Sequence, residues 1–158
     1  MGTAVTVIRP VLADDVGAVA ALEADQQPRP WTEQTFRDEL AAENRIYLVA
    51  EVRDAVVGFG GVMVIDDEAH VTNLLVDEAQ RRSGLGRELM VSLVEWAIER
   101  GARHLTLEVR SGNNAARALY SGLGLAPVGL RPRYYRDDDA LIMWAHDIDR
   151  PGYLESLR

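Results

Sequence analysis

The sequence contains no cysteine, which excludes disulfides, thiolate metal sites and a cysteine nucleophile. It contains no lysine either, since all 17 basic residues are arginine, so a Schiff-base lysine and a P-loop lysine are impossible. No apolar run approaches the ~20 residues that span a bilayer. The first apolar stretch, Val5 to Ile8, is broken by Arg9 and Pro10, so no signal peptide is expected. With cysteine absent, a reducing cytoplasmic location fits. Positive charge is in deficit, 17 basic against 25 acidic residues for a formal −8. A net-negative surface repels phosphate backbones and disfavours duplex nucleic acid as a partner. It favours instead the approach of a basic peptide or an amine.

What is present suits one globular domain. The 158 residues are 47% hydrophobic and 27% charged, ordinary values for a packed core. A single domain is expected over residues 1–148, with residues 149–158 as a tail of no readable role. Thr6 to Pro10 reads as an edge strand, followed by a helix capped by Asp14 that carries Val16, Val19, Ala20 and Leu22-Glu23. After the proline loop Gln27 to Trp31, Thr32-Glu33-Gln34-Thr35 has the capping-box shape and opens a surface helix to about Ala42. Ile46–Val52, Val56–Ile65 and Glu68–Val76 read as three strands. Leu85, Leu89, Leu93, Trp96 and Ala97 then follow the 3.6-residue period of a strong amphipathic helix, stopped by Gly101. A strand at Arg103–Val109, a helix opened by Asn113, and strands near Leu125–Leu130 and Ala140–Ile148 complete the chain. Successive strands without intervening helices predict an α+β fold on a mixed, mostly antiparallel sheet of about seven strands with about four helices.

Between the fourth strand and the long helix lies Val76-Asp77-Glu78-Ala79-Gln80-Arg81-Arg82-Ser83-Gly84-Leu85-Gly86-Arg87. Glycines there let backbone N–H groups approach a ligand, the helix dipole adds partial positive charge, and three arginines add whole ones, which suits a pyrophosphate. On Gly-Leu-Gly alone, a helix start with two turn glycines and solvent-facing arginines fits as well. A Rossmann fingerprint does not fit, because the third glycine position is Leu89 and the first glycine does not follow the strand directly. The segment Arg81-Arg82-Ser83-Gly84-Leu85-Gly86 resembles the acetyl-CoA signature Gln/Arg-x-x-Gly-x-Gly/Ala of the GNAT acetyltransferases, at the place that family has it. The resemblance covers nearly the whole chain and implies a three-layer α/β GNAT fold whose fourth strand splays from the fifth. It implies acetyl-CoA as co-substrate, held by Arg81, Arg82, Ser83, Gly84, Leu85, Gly86 and Arg87 and by backbone groups of Leu74, Leu75 and Val76, with no metal.

A second constellation runs from Leu107-Glu108-Val109-Arg110 through Asn113 to Ala118-Leu119-Tyr120 and Gly124. Acyl transfer to an amine needs a neutral amine, stabilisation of negative charge on the carbonyl oxygen, and a proton for the leaving thiolate. Strand alternation puts Glu108 on the face opposite Leu107 and Val109, partly buried, where a carboxylate suits work as a base. Tyr120 follows Asn113 by two helical turns and shares its face. Taken singly, Glu108 also fits a solvent-facing strand residue and Tyr120 a core aromatic. The combined string resembles the RimI branch of the family, bacterial enzymes that acetylate the N-terminal alanine of a small-subunit ribosomal protein. That resemblance implies Glu108 as general base, Tyr120 as general acid and Asn113 as a CoA contact. Leu125 stands where phenylalanine is usual.

Pro30-Trp31-Thr32 through Phe36, and Leu130-Arg131-Pro132-Arg133-Tyr134-Tyr135, are similar to two substrate-lining segments of that branch, with Pro132 replacing an arginine or similar residue. This implies Trp31, Arg131, Tyr134 and Tyr135 as acceptor contacts. It also implies a protein N-terminus as partner, with neither nucleic acid nor membrane. By themselves Trp31 reads as a packing anchor and Tyr134-Tyr135 as a strand pair. An α-amine with a pKa near 7.7–8.0 is roughly one-tenth neutral at pH 7, a lysine near 10.4 about one part in a few thousand, so a single carboxylate favours a terminal amine. A GNAT enzyme acting on lysine, a polyamine or an aminoglycoside, and a CoA-binding regulatory domain without catalysis, are the alternatives. His70, His104 and His146 have no metal-ligand spacing and read as structural.

Overall fold

The computed structural model describes residues 5–81, 83–135 and 137–158; the candidate cofactor contact Arg82 lies outside the described residues. Strands β1 (Thr6–Pro10), β2 (Arg45–Val52), β3 (Ala55–Ile65), β4 (Glu68–Val76), β5 (His104–Arg110), β6 (Ala126–Tyr135) and β7 (Asp138–His146) form a sheet in the order β1-β2-β3-β4-β5-β7-β6. Helices α1 (Val16–Gln26), α2 (Glu33–Leu40), α3 (Leu85–Glu99), α4 (Asn114–Gly122) and α5 (Tyr153–Leu157) accompany it. The pairs β1–β2, β2–β3, β5–β7 and β6–β7 are antiparallel, and β4–β5 is parallel. Parallel neighbours need a crossover, and α3 supplies it. The β4–β5 ladder joins Glu68 to His104, Ala69 to Leu105 and His70 to Thr106 and then stops, although β4 runs on to Val76 and β5 to Arg110. This is the expected mixed sheet with its splay. Among the described residues, no helix is long and apolar enough to cross a membrane.

The chain divides into two compact units. One runs to Met63 and resumes over Thr72–Leu93; the other takes in Val64–Val71 and Val94–Arg158. In the first, Val16 and Val19 of α1, Phe36 of α2, Val49 of β2 and Phe59 of β3 are buried together, with Trp31, Leu40 and Leu75 packed against them. Each such side chain contributes about 1.5–3 kcal/mol. Helix α2 is held to the surface chiefly by Phe36, whose ring meets Phe59 at 5.6 Å and Trp31 at 5.3 Å. In the second unit, Leu105, Leu107 and Val109 of β5, Leu123, Met143 of β7 and Ile148 are buried. Helix α3 buries the apolar stripe Leu85, Leu89, Met90, Leu93, Val94 and Ala97, while Trp96 lies at its edge with the Arg100 guanidinium 4.1 Å from its ring.

Two local expectations change. Asp14 falls in a short 3-10 turn, Ala13–Asp15, and its neighbour Asp15 does the organising. The Asp15 carboxylate accepts the Leu12 N–H at 2.7 Å and pairs with Arg9 at 2.7 Å, so the entry to α1 is fixed by an ion pair, which holds Asp15 below the usual carboxylate range. Strand β6 continues past Leu130 to Tyr135 because a bulge absorbs its polar end: Arg133 takes a left-handed φ of 55° and donates its N–H to Asp139 at 2.8 Å. The tail packs, too. Tyr153 and Leu157 are buried, and Tyr153 donates its hydroxyl to the Leu123 carbonyl at 2.5 Å.

Gly61 of β3 is needed for close approach. A Cβ there would lie 2.3 Å from Tyr47 Cε1 and 2.7 Å from Thr72 Oγ1, and Tyr47 is a buried ring that cannot swing aside. Gly61→Ala is expected to cost about 1–3 kcal/mol, seen in a thermal melt as a Tm lower by roughly 3–10 °C. An unchanged Tm would show that the ring moves freely.

Candidate active site

The loop from β4 to α3 leads into the helix at Gly84. Gly84 adopts a left-handed φ of 82°, with open space where its Cβ would be, so the backbone conformation alone calls for glycine. Leu85 is buried and anchors the first turn of α3, while Ser83 and Gly84 are exposed. The first repeating helical bond runs from the Glu88 N–H to the Gly84 carbonyl at 3.0 Å. The amides before it have no acceptor within the helix and carry the positive end of its dipole. Arg81 stands beside this end and Arg87 lies in its first turn. Ser83 turns its hydroxyl back onto the Gln80 carbonyl, so as placed it closes the loop. These groups fit a diphosphate: donors at a helix start that the helix's own carbonyls do not satisfy, cationic side chains, and a backbone path free of side-chain bulk.

The end of β4 is fastened by the last turn of α1, which the sequence reading missed. Gln26 donates its amide N–H to the Val76 carbonyl at 2.9 Å and accepts from Arg81 Nη2 at 2.9 Å. One turn earlier, Glu23 is 4% exposed; it accepts the Trp31 backbone N–H at 2.6 Å and the Asn73 side-chain N–H at 3.1 Å. Burial pushes the Glu23 carboxyl above the ordinary range, against those two hydrogen bonds. Asn73 Oδ1 is buried without a partner, the one such side-chain atom among the described residues. A signal existed: Glu23 follows Val16 and Val19 on the same helical stripe, a core position. Trp31 itself packs in the first unit's aromatic group, its ring 5.3 Å from Phe36 and 6.3 Å from Tyr47.

In the second unit, Glu108 lies on β5 between the buried Leu107 and Val109, its side chain 29% exposed, as alternation requires. Arg131 of β6 sets its Nε 3.2 Å from Glu108 Oε1, an ion pair invisible in sequence. The same guanidinium lies 5.6 Å from the ring of Tyr134, which is exposed. Tyr135 is covered by the Arg110 guanidinium at 4.2 Å, and burial with the nearby Glu108 charge raises its phenol above the ordinary range. Tyr120 on α4 is buried, which pushes its phenol up to about 12. Asn113 accepts the Ala116 N–H at 3.2 Å and so caps α4.

The acidic run at the β6–β7 turn holds this unit's loops in register. Asp137 pairs with Arg110, Asp138 accepts the Gly112 N–H at 2.8 Å, and the Asp139 carbonyl accepts the Ser111 N–H at 3.0 Å. Those partners lower the carboxyls of Asp137 and Asp138. His104 and His146 face each other across β5 and β7, Nδ1 to Nδ1 at 3.1 Å, so one ring is the donor and the other the acceptor. His70 meets Glu68 at 3.3 Å.

Residues 16–125 match the acetyltransferase (GNAT) family model. The chain is 39% identical over 141 residues to the putative ribosomal protein bS18-alanine N-acetyltransferase of Bacillus subtilis, covering 87% of this chain and 93% of that protein. The crystal structure of the ribosomal-protein-S18-alanine N-acetyltransferase from Escherichia coli superposes with a TM-score of 0.82 at 33% identity, covering 90% of this chain and 94% of that one. The fold also matches Arabidopsis thaliana NAA60 in complex with acetyl-CoA, with a TM-score of 0.83 at 16% identity over 90% of this chain and 98% of that one.

Among the described residues Glu23 has no cationic partner, so burial makes its ionised form stabilise the fold less than its protonated form. Its raised carboxyl means that the native state binds the proton more tightly than the unfolded chain, and this penalty is relieved as pH falls through the raised value. Glu23→Gln removes the charge, and a rotated Asn73 amide lets its unpartnered oxygen accept from the new Gln. The Gln variant is expected to melt about 2–4 °C higher at pH 7, the size of a ~1 kcal/mol gain, with the difference shrinking at pH 5. A Gln variant less stable at pH 7 would contradict this.

Proposed function

This chain belongs to the GNAT acetyltransferase family and is an acetyl-CoA-dependent N-acetyltransferase, and we propose that its acceptor is the N-terminal α-amine of a protein, the alanine of a small-subunit ribosomal protein. The observation that carries the reading is a contrast between two acidic groups of one unit: Glu108 is ion-paired and partly open, while Tyr120 is buried and fully protonated at neutral pH. Such a division separates a proton acceptor from a proton donor. The relatives' names point to the same acceptor class, and the net charge of −8 suits a basic peptide.

Acetyl-CoA supplies an acetyl thioester as the acyl donor. Glu108 takes a proton from the α-amine as the nitrogen–carbon bond forms and the carbon–sulfur bond breaks. A backbone N–H at Leu75 or Val76 stabilises the negative charge that develops on the carbonyl oxygen. Leu74 adds backbone groups to the same strand end, and Asn113 contacts CoA in addition to capping α4. Tyr120 directs its O–H at the departing sulfur and supplies the proton. With the phenol near 12 and a thiol near 8.5, complete transfer to a free thiolate is uphill by ~5 kcal/mol, so Tyr120 acts first as a hydrogen-bond donor to the developing charge. Trp31, Arg131, Tyr134 and Tyr135 are the proposed acceptor contacts, and Arg131 also orients Glu108. The balance is one amide and one thiol formed from one amine and one thioester.

Glu108→Gln and Tyr120→Phe are each expected to lower kcat by about 10²–10⁴ while CoA affinity, measured by calorimetry, stays within about twofold. Unchanged turnover in both would remove the assigned roles, whereas CoA binding with no turnover by the unaltered protein would leave a silent CoA-binding domain. Short peptides beginning Ala-Arg, compared with lysine peptides, polyamines and aminoglycosides, test the acceptor. Acetylation confined to the α-amine of the Ala peptide is expected; activity only on lysine or free amines would overturn the choice.

A further inference from the structure

The last turn of α1 touches the cofactor loop with a neutral amide that uses both of its ends. Gln26 Nε2–H donates to the carbonyl of Val76, the last residue of β4, and Gln26 Oε1 accepts from Nη2 of Arg81, the first arginine of the loop. Both contacts are 2.9 Å, and the partners lie 50 and 55 residues away in sequence. Arg81 is exposed, and a free arginine on a loop surrenders rotamer freedom when a ligand orders it. Here the ordering is done before a ligand arrives. The donor N–H also fixes the strand end from which the loop departs toward Gly84.

We propose that Gln26 is a positioning residue for anion binding: it holds Arg81 and the Val76 carbonyl so that the CoA diphosphate meets a cation already in place. This rests on the reading that the diphosphate lies at Gly84 to Arg87, and it adds a residue outside the signature to that grip. The chemistry of the side chain matters. A carboxylate at this position would neutralise Arg81 in an ion pair, repel the diphosphate, and have no N–H for Val76. An alanine would only release Arg81. The order of CoA affinity is therefore Gln, then Ala, then Glu, an order that mere packing by an isosteric side chain does not give.

The test is a double-mutant cycle on CoA binding, read by calorimetry with CoA itself and no acceptor. Gln26→Ala is expected to weaken CoA about 5-fold, Gln26→Glu about 20-fold, and Arg81→Ala about 10-fold, with melting curves confirming that each variant is folded. In the Arg81→Ala background, Gln26→Ala is expected to cost less than 2-fold further, because its effect passes through that arginine. Independent, multiplicative losses, or a Gln26→Glu variant that binds as well as the unaltered protein, would overturn the role of Gln26. If Arg81→Ala itself binds CoA normally, the reading of the diphosphate site falls instead, so the two failures are told apart.

Discussion

The amide hydrogens at the start of α3 are the constraint from which the rest follows. A helix leaves its first N–H groups without internal acceptors, and here they open onto exposed backbone at Gly84. The glycine is required by a left-handed turn, and Leu85 below it is buried, so the donors are displayed on a fixed element. The long apolar stripe of α3 secures that display. A helix anchored by Leu85, Leu89, Met90 and Leu93 does not drift when an anion binds at its end.

Around this end the protein spends polar side chains where apolar ones would be more stable. Glu23 is buried against two neutral donors and Asn73 keeps an unpartnered oxygen. Both sit on the turn and strand that also carry Gln26 and Val76. The same few residues thus tie the Trp31 loop and the β4 end to one helical turn, a rigid support for substrate-handling segments. In the other unit, the acidic hairpin turn plays the corresponding part, since Asp137, Asp138 and Asp139 bind Arg110, Gly112, Ser111 and Arg133. This run of three carboxylates is a set of hydrogen-bond and ion-pair acceptors in the fold.

Much of the architecture was legible because it is local. The periodicity of α3, the capping residues Thr32 and Asn113, and the alternation around Glu108 are short-range patterns, while the family is read from the resemblance of the segments Arg81 to Gly86 and Glu108 to Tyr120. What was not legible depends on partners distant in sequence. The Arg131–Glu108 pair, the Gln26 bridge and the facing His104 and His146 have no signature at the level of spacing. The early end expected for β6 has another cause: Arg131 to Tyr135 is a polar edge strand with a bulge, so neither burial nor alternation marks it. Asp15 displaced Asp14 because Arg9 selects between adjacent carboxylates, a choice made by tertiary contact.

The central claim is that backbone donors at the mouth of α3 hold the diphosphate. The most direct test is a crystal structure with acetyl-CoA bound. The account predicts diphosphate oxygens about 2.7–3.2 Å from the N–H groups of Gly84 to Arg87, with the Arg81 guanidinium alongside. A diphosphate bound elsewhere, with those amides facing only water, would contradict it.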